Sequence, residues 1–213
     1  MKRAMSFDRL APFYRSMEFL AAGNKLQRCR LMFLDKISSP SRVLLVGEGH
    51  GRFLPVITRR FPEATVVVVD SSLKMLDISR SKIRSNHVEF VHADLLQWTP
   101  THGEFDLIVT HFFLDCFPAD ELAMVVNRLA EMAAPSATWL IADFEIAPSR
   151  IAGMRCRIIL ALLYAFFQKL VDLRTSSLVS PDPMLKRAGF TLVQRSLNDW
   201  GMLKSDWWQR NHR

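Results

Sequence analysis

Val43-Leu44-Leu45-Val46-Gly47-Glu48-Gly49-His50-Gly51 decides how the rest of this 213-residue chain is read. Four apolar residues run into glycines at every second position, the pattern of a buried strand entering a tight turn. Phe53, Leu54, Ile57 and Phe61 follow at helical spacing. A second apolar strand, predicted over Thr65–Val69, then ends on Asp70. Strand, glycine turn, helix, strand and terminal acid make a nucleotide-binding β-α-β unit. Glycine lets a ligand approach the backbone where a side chain would clash. The helix start is expected to offer unpaired N–H groups to a negative ligand group. Asp70 is suited to accept from a pair of ribose hydroxyls.

Working outward, strands and helices alternate. Ser71-Ser72 is expected to cap a helix running to about Arg84, with Leu73, Leu76 and Ile83 inward. Val88–His92 reads as a third strand closing on Asp94, and Phe105–Val109 as a fourth ending near Thr110-His111. Pro118 opens a helix whose core stripe is Leu122, Val125, Val126, Leu129 and Met132. Pro135-Ser136 is expected to turn into a fifth strand, Thr138–Ala142, closing on Asp143. This alternation predicts an α/β fold with a mostly parallel sheet covered on both faces. Upstream, Phe7, Leu10, Tyr14, Met17 and Ala21 predict an amphipathic helix, and Leu26, Arg30, Phe33 and Leu34 a second. Downstream, the spacing predicts a long apolar helix over 151–173, a short one over 181–188 and a strand from Phe190 to Arg195. The tail with Trp200, Trp207 and Trp208 is expected to pair as a last antiparallel strand.

Composition narrows the classes. Residues 1–42 carry a net charge of +6, residues 43–149 carry −6, and residues 150–213 carry +7. The nucleotide-binding core is therefore acidic between basic flanks, which suit an acidic substrate, an anionic membrane or a nucleic acid. Met1–Arg15 is mixed and charged, unlike a secretory leader. The longest apolar run, Ile158–Phe167, is ten residues and too short to span a bilayer, so at most a peripheral membrane contact is expected. Cys29, Cys116 and Cys156 share no C-x-x-C spacing and suit free thiols in a reducing cytoplasm. No paired histidine spacing predicts a metal site.

The glycine spacing is G-x-G-x-G rather than the dinucleotide fingerprint G-x-G-x-x-G. With Val69-Asp70-Ser71-Ser72-Leu73-Lys74-Met75-Leu76, His92-Ala93-Asp94-Leu95 and Phe105-Asp106-Leu107-Ile108 in the same order, residues 42–145 resemble the seven-stranded, class I S-adenosylmethionine-dependent methyltransferases. Phe7–Tyr14 also resembles the lead-in of the small-molecule, quinone-biosynthesis branch. The resemblance implies a three-layer αβα Rossmann-like fold with sheet order 3-2-1-4-5-7-6 and the seventh strand antiparallel. It further implies a helical lid over residues 1–40, with Tyr14 approaching the cofactor, and a catalytic domain over 41–213. Gly47, Gly49 and Gly51 would line the methionine end of S-adenosylmethionine, and Asp70 and Ser71 the ribose end. Met75 would pack near the adenine, Asp94 would accept from its amino group, and Leu95 would lie beside it. Thr110, His111 and Phe112 would face the sulfonium and acceptor.

One position departs from the family's pattern: an acid is common two residues before the first glycine, and here it is Leu45. Glu48 is the candidate replacement for holding the cofactor's ammonium group. Methyl transfer needs positioning and water exclusion, plus a base where the nucleophile must lose a proton. His111 and Asp115 are the candidate bases. The expected activity is methyl transfer to a small, apolar or amphipathic acceptor, with S-adenosylhomocysteine as product and no metal. RNA or protein methylation through the basic flanks, and a non-catalytic cofactor-binding homologue, stand as alternatives. Oligomeric state stays open between monomer and homodimer.

Overall fold

The computed structural model describes residues 24–100, 103–171, 175 and 177–211. The expected first helix, with Tyr14, lies outside the described residues. Chain order is α1 (Lys25–Leu31), β1 (Arg42–Val46), α2 (Leu54–Arg60), β2 (Thr65–Asp70), α3 (Leu73–Arg80), β3 (Val88–His92), β4 (Phe105–His111), α4 (Ala119–Glu131), β5 (Ala133–Phe144), α5 (Arg150–Val171), α6 (Asp182–Arg187), β6 (Phe190–Asn198) and β7 (Leu203–Arg210). Single 3-10 turns cover Leu34–Lys36 and Leu114–Cys116.

The seven strands form one sheet in the order β3-β2-β1-β4-β5-β7-β6. The first five run parallel; β7 enters antiparallel between β5 and β6. Alternation along the strands separates two cores. Leu44, Val46, Val67, Val69, Ile108, Trp139 and Ile141 pack with Leu122, Val125, Val126 and Leu129 of α4 and with Leu185 of α6. Val43, Leu45, Val66, Val68, Leu107, Val109 and Leu140 pack on the opposite face with Phe33, Leu34, Ile37, Leu54, Ile57 and Leu76. Burial on both faces explains why β1 and β2 read as continuous apolar runs. The architecture is the expected three-layer α/β fold with the expected strand order.

Several local expectations change. β5 begins at Ala133, so Pro135-Ser136 lies inside the strand. The register with β4 jumps from Phe105↔Ala133 to Leu107↔Thr138, and that irregularity accommodates a proline that cannot donate to the ladder. α3 ends at Arg80, short of Arg84, and Leu73 faces solvent. The sequence puts Leu73 at the first helical position, where it points away from the sheet while Met75 and Leu76 take the core side. Trp200 sits in the β6–β7 turn, where Asp199, Trp200 and Gly201 all have positive φ. β7 buries Lys204, Ser205 and Asp206 in mid-sheet.

Candidate active site

In a parallel sheet the carboxyl ends of the strands share one edge, the usual position of ligand sites in open α/β folds. The glycine loop after β1, Asp70 at the end of β2, Asp94 just past β3, and His111 through Asp115 after β4 all come to that edge.

Gly47, Gly49 and Gly51 have φ of 64°, 59° and 62°, the left-handed region that other residues adopt reluctantly. Two of them are also crowded. A Cβ at Gly47 would lie 2.3 Å from Phe113 Cδ2, and one at Gly51 would lie 2.4 Å from Ser79 Oγ. Ser79 Oγ in turn donates to the Gly49 carbonyl at 3.0 Å. The close approach at Gly47 and Gly51 is therefore to side chains of the chain itself.

Glu48 is engaged with the helix behind it. Its Oε1 accepts from Phe53 N at 2.6 Å and Leu54 N at 3.0 Å. The carboxylate caps α2, so those two N–H groups are not offered to a ligand, contrary to the sequence expectation. Leu45 is fully buried between β2 and β4, in the core beneath the site.

Asp70 ties the loop to the next helix: Oδ2 accepts from Gly49 N at 3.4 Å and Oδ1 from Ser72 N at 2.9 Å. Ser72 Oγ, not that of Ser71, caps α3 by accepting from Met75 N at 3.2 Å. Ser71 is exposed, and its carbonyl accepts from His92 Nε2 at 3.1 Å. Met75 is buried under this turn. Asp94 is exposed and accepts from Leu96 N at 3.0 Å, whereas Leu95 is buried in the core.

The end of β4 divides its residues. Thr110 is fully buried, and its Oγ1 accepts from Trp139 Nε1 at 2.9 Å, so this hydroxyl serves the core. His111 is buried edge-on to Phe53 with ring centroids 4.7 Å apart. Its Nδ1 has no hydrogen-bond partner among the described residues. Burial, assisted by the Arg30 charge, holds the imidazole well below its usual pKa, so it is neutral at pH 7. Phe112 has φ 54°, a strained conformation for an aromatic residue, and lies under the Arg30 guanidinium at 4.9 Å.

Asp115 is buried, and its backbone N donates to Asp143 Oδ2 at 3.2 Å. The two carboxyls also act on each other. Burial pushes Asp115 up to about 6 and, together with the Asp115 charge, pushes Asp143 well above the carboxylate range against the pull of Lys204. Asp143 then carries the proton that the pair shares, and Asp115 the charge. In the sequence Asp143 reads only as a strand end; the signal for the pair is a second carboxyl, Asp115, in the turn just past the neighbouring strand β4. Among the described residues no cluster could hold a metal ion.

Residues 43–136 match the model of a methyltransferase domain family. The chain carries a methyltransferase domain over this stretch. Over 174 residues the chain is 29% identical to a demethylmenaquinone methyltransferase of Roseiflexus sp. (strain RS-1), covering 81% of this chain and 69% of that protein. A trans-aconitate 2-methyltransferase of Paracidovorax citrulli is 37% identical over 68 residues, 32% of this chain and 25% of that one. The fold is shared with a 1,6-didemethyltoxoflavin-N1-methyltransferase of Burkholderia thailandensis, solved with its acceptor and S-adenosylhomocysteine: TM-score 0.67, 14% identity, 95% of this chain and 85% of that chain. These relatives are named for small-molecule acceptors, and the toxoflavin enzyme holds S-adenosylhomocysteine, the form left when S-adenosylmethionine gives up its methyl group.

The residues at the strand edge fit that donor. The left-handed glycine loop gives backbone access, and Asp70 and Asp94 provide acceptors for hydroxyl and amino groups. The cofactor supplies an electrophilic methyl group on a sulfonium when bound; the chain's part is to position it and exclude water.

Proposed function

We propose that the acceptor is apolar or amphipathic and sits between the end of β4 and the inner face of α5. The observation that carries this reading is the apolar wall beside Asp115. Leu160 and Tyr164 of α5 pack with Phe144, Ile146, Leu163, Phe167, Leu178 and Cys116, which adjoins Asp115 in the chain. In this reading Gly47, Gly49, Gly51, Asp70, Ser71, Met75, Asp94 and Leu95 hold the donor, with Phe112 near the sulfonium. Thr110 contributes through its backbone and Glu48 through the loop that it braces. Asp115 accepts the acceptor's proton, and neutral His111 orients the acceptor through its Nδ1. Calorimetric titration with S-adenosylmethionine, S-adenosylhomocysteine and NAD tests the donor site: binding of the first two and not of NAD is expected.

The outer face of α5 supports a peripheral membrane contact. Ile151, Met154, Ile158, Leu162 and Phe166 are exposed along one side, bordered by Arg150 and Arg157. By length and composition Arg150–Lys169 could cross a bilayer, which the ten-residue apolar run alone does not suggest. Its opposite face, with Cys156, Leu160 and Tyr164, is buried against the domain, which favours lying on a bilayer over spanning it. Co-sedimentation with phosphatidylglycerol vesicles, weakened in Ile158→Glu and Leu162→Glu, is the expected result; equal sedimentation of wild type and variants would remove the contact. A cytoplasmic setting is supported by three free cysteines, two of them buried.

A further inference from the structure

Tyr164 is 3% exposed, and its hydroxyl has no hydrogen-bond partner among the described residues. A buried hydroxyl without a partner is costly, and such groups mark places where something else binds. Tyr164 packs with Cys116, the neighbour of Asp115 in the chain, and the Asp115 charge acts on it. Cys116 Sγ donates to Asp115 Oδ1 at 3.7 Å. Both oxygens of Asp143 accept backbone bonds, from Asp115 N at 3.2 Å and Phe144 N at 2.8 Å. Lys204, opposite Asp143 in the β5–β7 register, turns its ammonium to Glu145 at 3.1 Å and Asp182 at 3.9 Å. Arg195 neutralises Asp182 and Asp206 on the far side, at 2.9 and 2.6 Å. The basic groups nearby are therefore already paired with acids, and the carboxyl pair beside Tyr164 keeps a net negative charge.

We propose that Tyr164, Asp115 and Asp143 form the polar subsite for the acceptor, and that the acceptor is a neutral molecule presenting a hydroxyl group rather than a carboxylate. This rests on the small-molecule methyl-transfer reading above. A hydroxyl is both donor and acceptor: it donates to the Asp115 carboxylate and accepts from the Tyr164 hydroxyl. A carboxylate has no hydrogen to give and would bring a second charge against Asp115 in a buried setting. In the reaction the S–CH3 bond breaks and an O–CH3 bond forms. The electron pair of the broken bond stays on sulfur as a neutral thioether, and the hydroxyl proton passes to Asp115. The positive charge of the donor and the negative charge of Asp115 are both discharged, so charge balances. Asp143 is a positioning residue: its protonated carboxyl donates a hydrogen bond to Asp115 and so holds that carboxylate ionised.

The test uses the full chain, first loaded with S-adenosylhomocysteine, then titrated calorimetrically with 1-naphthol or 1-naphthoate, which share a ring system. Naphthol is expected to bind at least about tenfold more tightly than naphthoate, the scale on which a site built around a hydrogen bond discriminates. Tyr164→Phe should weaken naphthol about tenfold and leave S-adenosylhomocysteine affinity unchanged. Naphthol binding should fall as pH drops through about 6, where Asp115 takes up a proton. In Asp143→Ala that fall should move to higher pH, and Asp143→Asn, whose amide can still donate, should restore it. Tighter binding of naphthoate, or no naphthol binding to a complex that holds S-adenosylhomocysteine, overturns the subsite and leaves the donor reading standing. Failure to hold S-adenosylhomocysteine overturns both. A Tyr164→Phe variant that binds naphthol like wild type removes Tyr164 from the subsite.

Discussion

The Phe113 ring lies directly against Gly47, the first glycine of the β1 loop, where an added Cβ would sit 2.3 Å from Phe113 Cδ2. The contact joins the loop that follows β1 to the segment that follows β4. It makes the shape of the glycine loop depend on the segment after β4. Gly47→Ala meets two obstacles, a φ of 64° and this clash. It should cost about 1–3 kcal/mol of stability, as for a side chain forced into a rarely populated backbone region. Urea unfolding measures it, and Phe113→Ala in the same background should recover the steric part.

Glu48 is held by the α2 N-terminus, accepting from two backbone N–H groups. Replacing it with alanine should therefore destabilise the fold by about 1 kcal/mol, the typical worth of a cap. Paired urea unfolding and calorimetry separate this from a donor-binding role. A loss of S-adenosylmethionine affinity with unchanged stability would assign Glu48 to the ammonium group that Leu45 leaves without an acid.

Much of this architecture could be read from residue pattern. β1 and β2 are apolar throughout because both of their faces are covered, and the acids after successive strands reported the ligand edge. Contacts between distant segments were not legible. Nothing in the loop sequence says that Glu48 reaches Phe53 N, nor that Gly47 faces Phe113, 66 positions later. Thr110 read as a site residue because it ends a strand, yet alternation turns its hydroxyl to Trp139. The tail reads as a last antiparallel strand, but nothing in Lys204-Ser205-Asp206 signals burial. It is buried because β7 inserts between β5 and β6, where Ser205 Oγ reaches the Cys29 carbonyl and Asp206 meets Arg195.

Asp70 bridges the glycine loop and the start of α3 through Gly49 N and Ser72 N. Asp70→Ala should weaken S-adenosylmethionine binding by ~1.5–3 kcal/mol, the range for hydrogen bonds to a charged group. Asp70→Asn keeps one acceptor oxygen and should lose less. Calorimetry of both variants checks the order, and unchanged affinity in the alanine variant would remove Asp70 from the donor site.

His111 gives a stability signature with a definite sign. Burial and the Arg30 charge depress its folded-state pKa, so below about 6.5 the unfolded chain binds a proton that the native imidazole refuses. Stability from this group is fully present above about 6.5 and is lost as pH falls below it. Asp115, raised to about 6, acts oppositely: the native state holds the extra proton between about 3.9 and 6, and it loses that advantage as pH rises through this window. His111→Gln removes the first effect and leaves the second. The variant should therefore gain on wild type as pH falls from 7.5 to 5.5, whatever its offset at neutral pH. Urea midpoints at the two pH values measure the difference, and parallel pH dependences would show that His111 is not held neutral. Because a neutral imidazole at the end of β4 has little affinity for a proton, activity at pH 7 should survive His111→Gln better than Asp115→Asn. A larger loss of turnover in the histidine variant would move the base from Asp115 to His111.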